Sequence, residues 1–225
     1  METGAPLLGE PLPVELMNTI WADRDGVHDA LSETAGATAW LRAVAPRLGL
    51  VTGPEPGAGE DRDPGHLAQQ LVALRDALRR LAAEATGDPR VAAASGLSPL
   101  GEAVSAVNRA SAAVPRWAAL AWTPGEAPAR LTRTSGPAAA AAVSVIAEEA
   151  ISLLSQDSRL RLRACLAPGC VLYFLKDHPR REWCSASCGN RARAARHYQR
   201  HRRSPAAQPG PSSPGRPARP DIRDE

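Results

Sequence analysis

All four cysteines of this 225-residue chain lie close together near its C-terminal end. Four residues separate Cys165 from Cys170, three separate Cys184 from Cys188, and thirteen lie between the two pairs. Two pairs of thiolates on tight turns are the ligand set that a tetrahedral zinc ion prefers, and the Ala-Pro-Gly sequence at 167–169 is typical of such a turn. Because four thiolates leave no position for water, we expect a closed, structural Zn²⁺ site rather than a catalytic one.

Other uses of these cysteines are less consistent with the sequence. Iron–sulfur ligation is the main rival among metals. Neither pair has the Cys-x2-Cys spacing of a redox dithiol. Disulfides are disfavoured because we expect a cytoplasmic protein: residues 1–10 lack the basic region of a secretory signal, and we find no run of about 18 apolar residues that would span a membrane.

Charge is unevenly distributed along the chain. Residues 159–203 contain twelve basic and two acidic residues, whereas residues 1–158 contain twelve basic and nineteen acidic residues. The net charge of +3 for the whole chain hides this asymmetry. A strongly basic module on an acidic body predicts a polyanion-binding surface, although part of the basic excess would offset the −2 charge of a four-thiolate zinc centre.

The residues around the cysteines predict a treble-clef-like finger. We expect a strand at Val171–Leu175, a turn at Asp177–Arg180, a returning strand at Arg181–Trp183 and a helix that begins near Cys188. A cysteine in the first helical turn directs backbone N–H groups and the positive end of the helix dipole at the thiolates.

Two short sequences carry a resemblance to a known family. Trp183-Cys184-Ser185 and Cys188-Gly189-Asn190-Arg191 resemble the signature of the CGNR zinc finger. The segments 16–19 (Leu-Met-Asn-Thr) and 39–41 (Ala-Trp-Leu) are similar to the start of the ABATE domain that precedes this finger. The resemblance implies a bacterial, stress-induced transcription regulator, with Zn²⁺ held by the four cysteines and nucleic acid as its partner. One departure lies in the finger hairpin, where His178-Pro179 follows Asp177 in place of the small hydroxyl residue common in the family.

A helical projection divides the basic residues of the last helix into two groups. One set shares a face that suits a phosphate backbone or a major groove, and we expect it to bind nucleic acid together with the turn arginines. The residues on this helix face are Arg193, Arg196, Arg200 and Arg203, and the turn arginines are Arg180 and Arg181. We assign structural roles in the finger to Asn190, Arg191, Asp177 and Trp183, with Arg191 facing the finger and pairing with Asp177 or a backbone carbonyl.

The remainder of the chain predicts a mainly helical domain with a short β-hairpin (α+β). Apolar periodicity predicts helical elements at 12–21, 32–46, 66–85 and 98–113, and a further helix after Pro137. The hairpin is expected from Trp117–Trp122 and Ala129–Thr134. These elements give an N-terminal domain over 1–158 with a loop at 52–65, a finger over 159–203, and a disordered Pro-rich tail over 204–225.

Function is expected to lie in the finger. We expect the finger to bind DNA and the N-terminal domain to sense a signal, such as a small-molecule effector, or to mediate association. A protein-interaction module that docks an acidic partner, or the chain's own acidic body, is the alternative from another class, and RNA is a third candidate partner. We find no phosphate-binding loop, nucleophile elbow or His-Glu-x-x-His motif, so we expect no enzyme activity.

Overall fold

The computed structural model describes residues 4–52, 64–90 and 99–203. The predicted tail at 204–225, and all but the ends of the predicted loop at 52–65, lie outside the described residues.

Helices dominate the described part of the chain, as the sequence predicts. The first three are α1 (Leu12–Met17), α2 (Thr34–Val44) and α3 (Pro64–Thr86), and the next three are α4 (Leu100–Ala112), α5 (Ala138–Ser155) and α6 (Ala186–Arg203). Short 3-10 turns follow α2 and α5, at Ala45–Arg47 and Asp157–Arg161.

Three small sheets accompany the helices. Strands β1 (Ile20–Ala22) and β2 (Val27–Asp29) form a hairpin. The predicted hairpin is present as β4 (Arg116–Ala121) and β5 (Ala129–Thr134), and β3 (Leu50–Thr52) adds a parallel third strand to β5. Strands β6 (Leu162–Ala164) and β7 (Tyr173–Leu175) pair in antiparallel fashion around the first cysteine pair.

The first predicted helix is shorter than its apolar repeat indicates. We expected one element over 12–21, but the helix ends at Met17 and the chain continues as β1. Asn18 and Thr19 follow the helix and are fully buried. The Asn18 side chain bonds to the backbone of Tyr173, so a contact with a distant segment occupies the residue at which the helix stops.

Helix α3 lies at the centre of the helical domain and packs on α1, α2, α4 and α5. The leucines of its 3.6-residue repeat face the core: Leu67, Leu71, Leu74 and Leu78 are buried, and Leu81 is half-buried. The helix ends in a Schellman motif: Gly87 has φ +59°, its N–H donates to the Glu84 carbonyl (3.3 Å), and the Asp88 N–H donates to the Ala83 carbonyl (3.0 Å). This motif fixes the direction in which the chain leaves α3.

Two arginines of α3 contradict the sequence interpretation of that helix. The leucine repeat predicts that Arg75 and Arg79 lie on the opposite, solvent-facing side of α3, but both are buried. The Arg79 guanidinium donates to the carbonyls of Met17 (2.8 Å) and Val171 (3.3 Å). The prediction was wrong because a central helix is covered on more than one side, and buried carbonyls there need donors.

Helix α5 is the one helix in the described residues that is long and apolar enough to cross a membrane by length and composition, with a mean hydropathy of 1.6. We expected no such segment. Half of this helix is buried inside the protein, where it packs on α1, α3 and α4. Its apolar face is therefore occupied by the protein's own core.

The C-terminal segment shares that core. Leu162 and Tyr173 belong to the same buried cluster as the N-terminal helices. A second cluster contains the four cysteines with Leu172 and Phe174, and Trp21 of β1 packs against it. Residues on both sides of the predicted boundary at 158 and 159 therefore pack as one body.

Candidate metal centre and basic helix

The four cysteine sulfurs converge on one point. All lie within 4.8 Å of one another and all four residues are buried. The Sγ–Sγ distance is 3.8 Å from Cys170 to Cys184 and 3.4 Å from Cys184 to Cys188. A thiolate tetrahedron with Zn–S distances of about 2.3 Å has edges of about 3.8 Å. The described residues therefore offer a ligand set of the right chemistry and size for a zinc ion.

The first cysteine pair is held by a tight turn. The Cys170 N–H donates to the Ala167 carbonyl (2.9 Å), and Gly169 between them has φ +73°. Pro168 and Gly169 thus occupy the central positions at which a type II turn favours Pro and Gly. The Cys165 N–H donates to the Leu172 carbonyl (2.9 Å) and closes the loop between β6 and β7. This loop is the zinc knuckle, residues 165–172.

The second cysteine pair lies at the start of α6. Cys188 is in the first turn of this helix, as predicted, and its N–H donates to the Ser185 hydroxyl (3.3 Å). A Cβ on Gly189 would lie 3.2 Å from Cδ1 of Trp183. Glycine at this position therefore lets the indole pack closely on the helix.

The hairpin expected within the finger has a different partner. β7 pairs with β6 rather than with Arg181–Trp183, which does not form a strand. The zinc knuckle is the turn that connects the antiparallel strands β6 and β7. The segment after β7 is therefore not needed for a hairpin, and it leads instead to Cys184 in the sulfur cluster. The prediction of the second strand was wrong.

The four sulfur atoms lie close enough together to shift one another's pKa values. The Cys165 pKa is lowered because its sulfur accepts hydrogen bonds from Cys170 and Cys184. The pKa values of Cys170 and Cys184 are raised, chiefly by donating to Cys165. Four thiolates this close together need a cation to offset their mutual repulsion, so binding of a divalent ion would release protons.

Arg191, the arginine of the Cys-Gly-Asn-Arg sequence, faces the sulfur cluster. Its Nη2 lies 3.0 Å from the Cys188 Sγ, and this hydrogen bond raises the pKa of the guanidinium. We expected this orientation, with Asp177 or a backbone carbonyl as the partner. Asp177 instead lies 3.4 Å from Arg181. Asn190 acts locally and accepts a hydrogen bond from Arg193 (2.5 Å).

Three of the predicted contact arginines share an exposed groove. Arg193, Arg196 and Arg200 line it together with Glu182 and Trp183, and its volume is about 790 Å³. All three arginines are exposed. The fourth predicted member, Arg203, is the last residue of α6, and its side chain lies outside the described part of the chain. Arg180 is exposed in the turn after β7.

Arg181 faces the interior of the protein instead. Its Nη2 lies 2.5 Å from the Glu10 carboxylate, its Nη1 donates to the Leu175 carbonyl (3.0 Å), and its guanidinium lies 5.0 Å from the centre of the Phe174 ring. These contacts fix Arg181 between the N-terminal segment and the finger. It therefore does not belong to the exposed basic face with which the sequence analysis grouped it.

Sequence reasoning missed several polar residues of the N-terminal domain that contact the finger. Asn18 donates to and accepts from the backbone of Tyr173, with both distances 2.9 Å. Glu10 accepts from the Leu175 N–H (2.9 Å). Asp88 and Arg90 contact Tyr173 and the zinc knuckle. In the sequence each of these residues is a single polar residue near one end of a helix, and such a residue does not indicate a distant partner.

Fold and site together define a helical domain joined to a closed four-cysteine centre of the zinc-finger type. Residues 10–157 match the sequence model of the ABATE family, described as "Putative stress-induced transcription regulator". Residues 161–201 match the CGNR zinc finger. The chain belongs to the ABATE family and carries a C-terminal CGNR zinc finger, which confirms the resemblance seen in the sequence. No curated protein matches the chain.

Proposed function

We propose that this protein is a zinc-dependent transcription regulator that binds DNA through α6 and acts without catalysis. The observation that carries the proposal is the groove in which Arg193, Arg196 and Arg200 lie side by side, exposed, on the helix that also holds a metal ligand. The family description as a transcription regulator supports the same role. In this proposal the metal is Zn²⁺, and its four cysteines leave no open coordination position for chemistry.

The metal centre would give α6 its direction. Cys188 lies in the first turn of the helix, and Arg191 packs against the same sulfur. The whole of α6 has 18 residues, a length of about 27 Å. Arginine side chains on such a rod can form bidentate contacts with phosphate.

The charges of the groove favour an external polyanion over the chain's own acidic body. Among the described residues, no acidic side chain forms an ion pair with Arg193, Arg196 or Arg200. Glu182 lines the same groove without pairing with them. The positive charge of this face is therefore not neutralised within the described structure.

Binding to short duplex DNA, followed by fluorescence anisotropy across a salt series, tests the proposal. Three to five phosphate contacts predict that log K falls with log salt at a slope of about −3 to −4.5. We expect Arg196→Glu with Arg200→Glu to lower affinity at least ~10-fold without loss of zinc. Arg130→Glu with Arg133→Glu makes the same charge change on exposed residues of β5 and should have a much smaller effect.

Two results would contradict the assignment. Absence of DNA binding at low salt would exclude nucleic-acid recognition of this kind. Equal losses in the two double variants would show that binding follows net charge rather than the α6 groove. The same titration with single-stranded and duplex RNA separates an RNA-binding from a DNA-binding regulator.

A further inference from the structure

One side chain of the N-terminal domain holds the zinc knuckle from outside. Arg90 Nη1 donates to the carbonyls of Cys170 (2.9 Å) and Cys165 (3.1 Å), and it lies 3.4 Å from the carbonyl of Leu172. Two of these three carbonyls belong to metal-ligand residues. One guanidinium nitrogen therefore contacts both ends of the first ligand pair.

The rest of the guanidinium is fixed by Asp88. Arg90 Nε lies 2.8 and 3.0 Å from the two carboxylate oxygens, and Nη2 lies 2.6 Å from Oδ2. The hydroxyl of Tyr173, in β7, donates to the same Oδ2 (2.8 Å). The Asp88 side chain has no exposed surface. Such a fully bonded ion pair is a rigid support rather than a surface salt bridge.

Asp88 in turn has a fixed position relative to α3. It is the second residue after the helix, and its N–H closes the Schellman motif on Ala83. The zinc knuckle is therefore connected to the central helix of the N-terminal domain by a continuous series of contacts. The end of α3 positions the Asp88 carboxylate, the carboxylate holds the Arg90 guanidinium, and the guanidinium bonds to the carbonyls of the two ligand residues.

This arrangement acts on the metal centre through its geometry. Holding the carbonyls of Cys165 and Cys170 restricts the rotation of the peptides that aim the two sulfurs. Outer contacts of this kind contribute about 10–100-fold to metal affinity in known sites.

We propose that Asp88 and Arg90 are positioning residues of the zinc centre, so that the N-terminal domain completes the metal site of the finger. This inference rests on the zinc centre of the proposed function. By thermodynamic reciprocity, zinc bound to the finger stabilises the end of α3, and any ligand or variant that displaces the end of α3 weakens zinc binding.

Zinc affinity of the full-length chain tests the inference. Zinc content would be measured at buffered free-zinc concentrations for the wild type, Arg90→Gln, Arg90→Lys and Asp88→Asn. We expect Arg90→Gln to raise the zinc dissociation constant about 10-fold. Arg90→Lys should recover part of the loss because it keeps the charge but cannot contact the carbonyls and Asp88 together. Asp88→Asn keeps the arginine and weakens only its anchor, so an intermediate loss is expected.

Arg80→Gln is the matched control. Arg80 lies on α3 and pairs with the exposed Glu84 one turn later, so its loss should leave zinc binding unchanged. Substitution with Co²⁺ adds a readout of geometry: Arg90→Gln should alter the visible absorption bands of the cobalt protein, which a general loss of stability would not do.

The outcomes separate this inference from the proposed function. A folded Arg90→Gln protein, by circular dichroism, with wild-type zinc affinity and an unchanged cobalt spectrum would overturn the positioning role alone. If Arg90→Gln does not fold, the same comparison is made with Asp88→Asn. A wild-type chain that binds no zinc would overturn the metal centre itself, and this inference with it.

Discussion

Arg191 and Arg196 lie on the same helix, but their side chains have different surroundings. The guanidinium of Arg191 contacts the Cys188 sulfur, whereas Arg196 lines the exposed groove. Elsewhere, Arg79, Arg90 and Arg181 bond to backbone carbonyls inside the protein. Arginine is almost the only basic residue of this chain, so residue type cannot distinguish nucleic-acid contacts from structural donors.

The different surroundings of Arg191 and Arg196 predict separable effects. Arg191→Gln removes a donor to a ligand sulfur and should raise the zinc dissociation constant about 10-fold. Arg196→Gln should leave zinc binding unchanged and weaken DNA binding. Zinc competition with a chromophoric chelator and DNA anisotropy measure the two effects. Equal zinc affinity in the two variants would argue against a role of Arg191 in the metal centre.

At the residue level, the metal ligands could be predicted from the sequence, but the residues of the N-terminal domain that hold the finger in place could not. Within each pair only three or four residues separate the two cysteines, so local spacing was sufficient. Asn18 and Glu10 bond to residues that lie 155 and 165 positions later in the chain. No local sequence pattern indicates partners this far apart in the chain. The same limit applies to Asp88, which the sequence shows only as part of a helix stop.

At the level of elements, helix α6 is supported unevenly. Cys188, Gly189 and Ala192 in its first two turns are buried, whereas the positions from Arg196 to His201 are exposed. Arg196 and Arg200 are one turn apart, and like charges at this spacing destabilise a helix. The outer half of α6 therefore depends on its own weak helical preference.

Hydrogen exchange should resolve this difference along α6. We expect amides of residues 196–201 to exchange faster than those of 188–192 in the free protein, because these outer positions are exposed. Addition of DNA should slow the outer amides more than the inner ones, since phosphates offset the arginine repulsion. Uniform protection along the free helix, measured by mass spectrometry, would contradict this account.

Elements were predictable where one periodicity covers a whole segment. The leucine repeat of α3 predicted that helix in this way, whereas the β4–β5 hairpin was predicted from the turn sequence Thr-Pro-Gly-Glu at 123–126. Strands of three residues, such as β1, β3 and β6, are too short to show a period. β3 forms only because β5, some 80 residues later, offers its edge. The strand predicted at Arg181–Trp183 is absent because β6 pairs with one edge of β7, while Asn18 and Glu10 bond to the other edge.

At the level of the whole molecule, the two family matches fall on one packed body. Leu162 and Tyr173 of the C-terminal segment belong to the cluster that contains Trp40. The polar contacts of Asn18, Glu10, Asp88 and Arg90 cross the same boundary. Metal binding should therefore influence the stability of the N-terminal helices as well as the finger.

Removal of the metal tests this coupling. We expect a chelator with a reductant to lower the melting temperature of the full chain in a single transition, by about 2–4 °C for each kcal/mol lost. Because five of the six described helices lie in the N-terminal domain, circular dichroism at 222 nm should follow this transition. An unchanged circular-dichroism transition, alongside loss of zinc, would show that the two segments unfold independently.

The contacts of Asn18 and Glu10 also close the open side of β7. This strand has a backbone neighbour, β6, on one edge, while its other edge bonds to an amide and a carboxylate side chain: Asn18 with Tyr173, and Glu10 with Leu175. Two side chains thus take the place of a third strand and leave no row of free donors on which another polypeptide could pair. A finger expressed without its helical domain would lose these contacts and expose the edge of β7. We expect such a finger to be less soluble even with its metal ion bound.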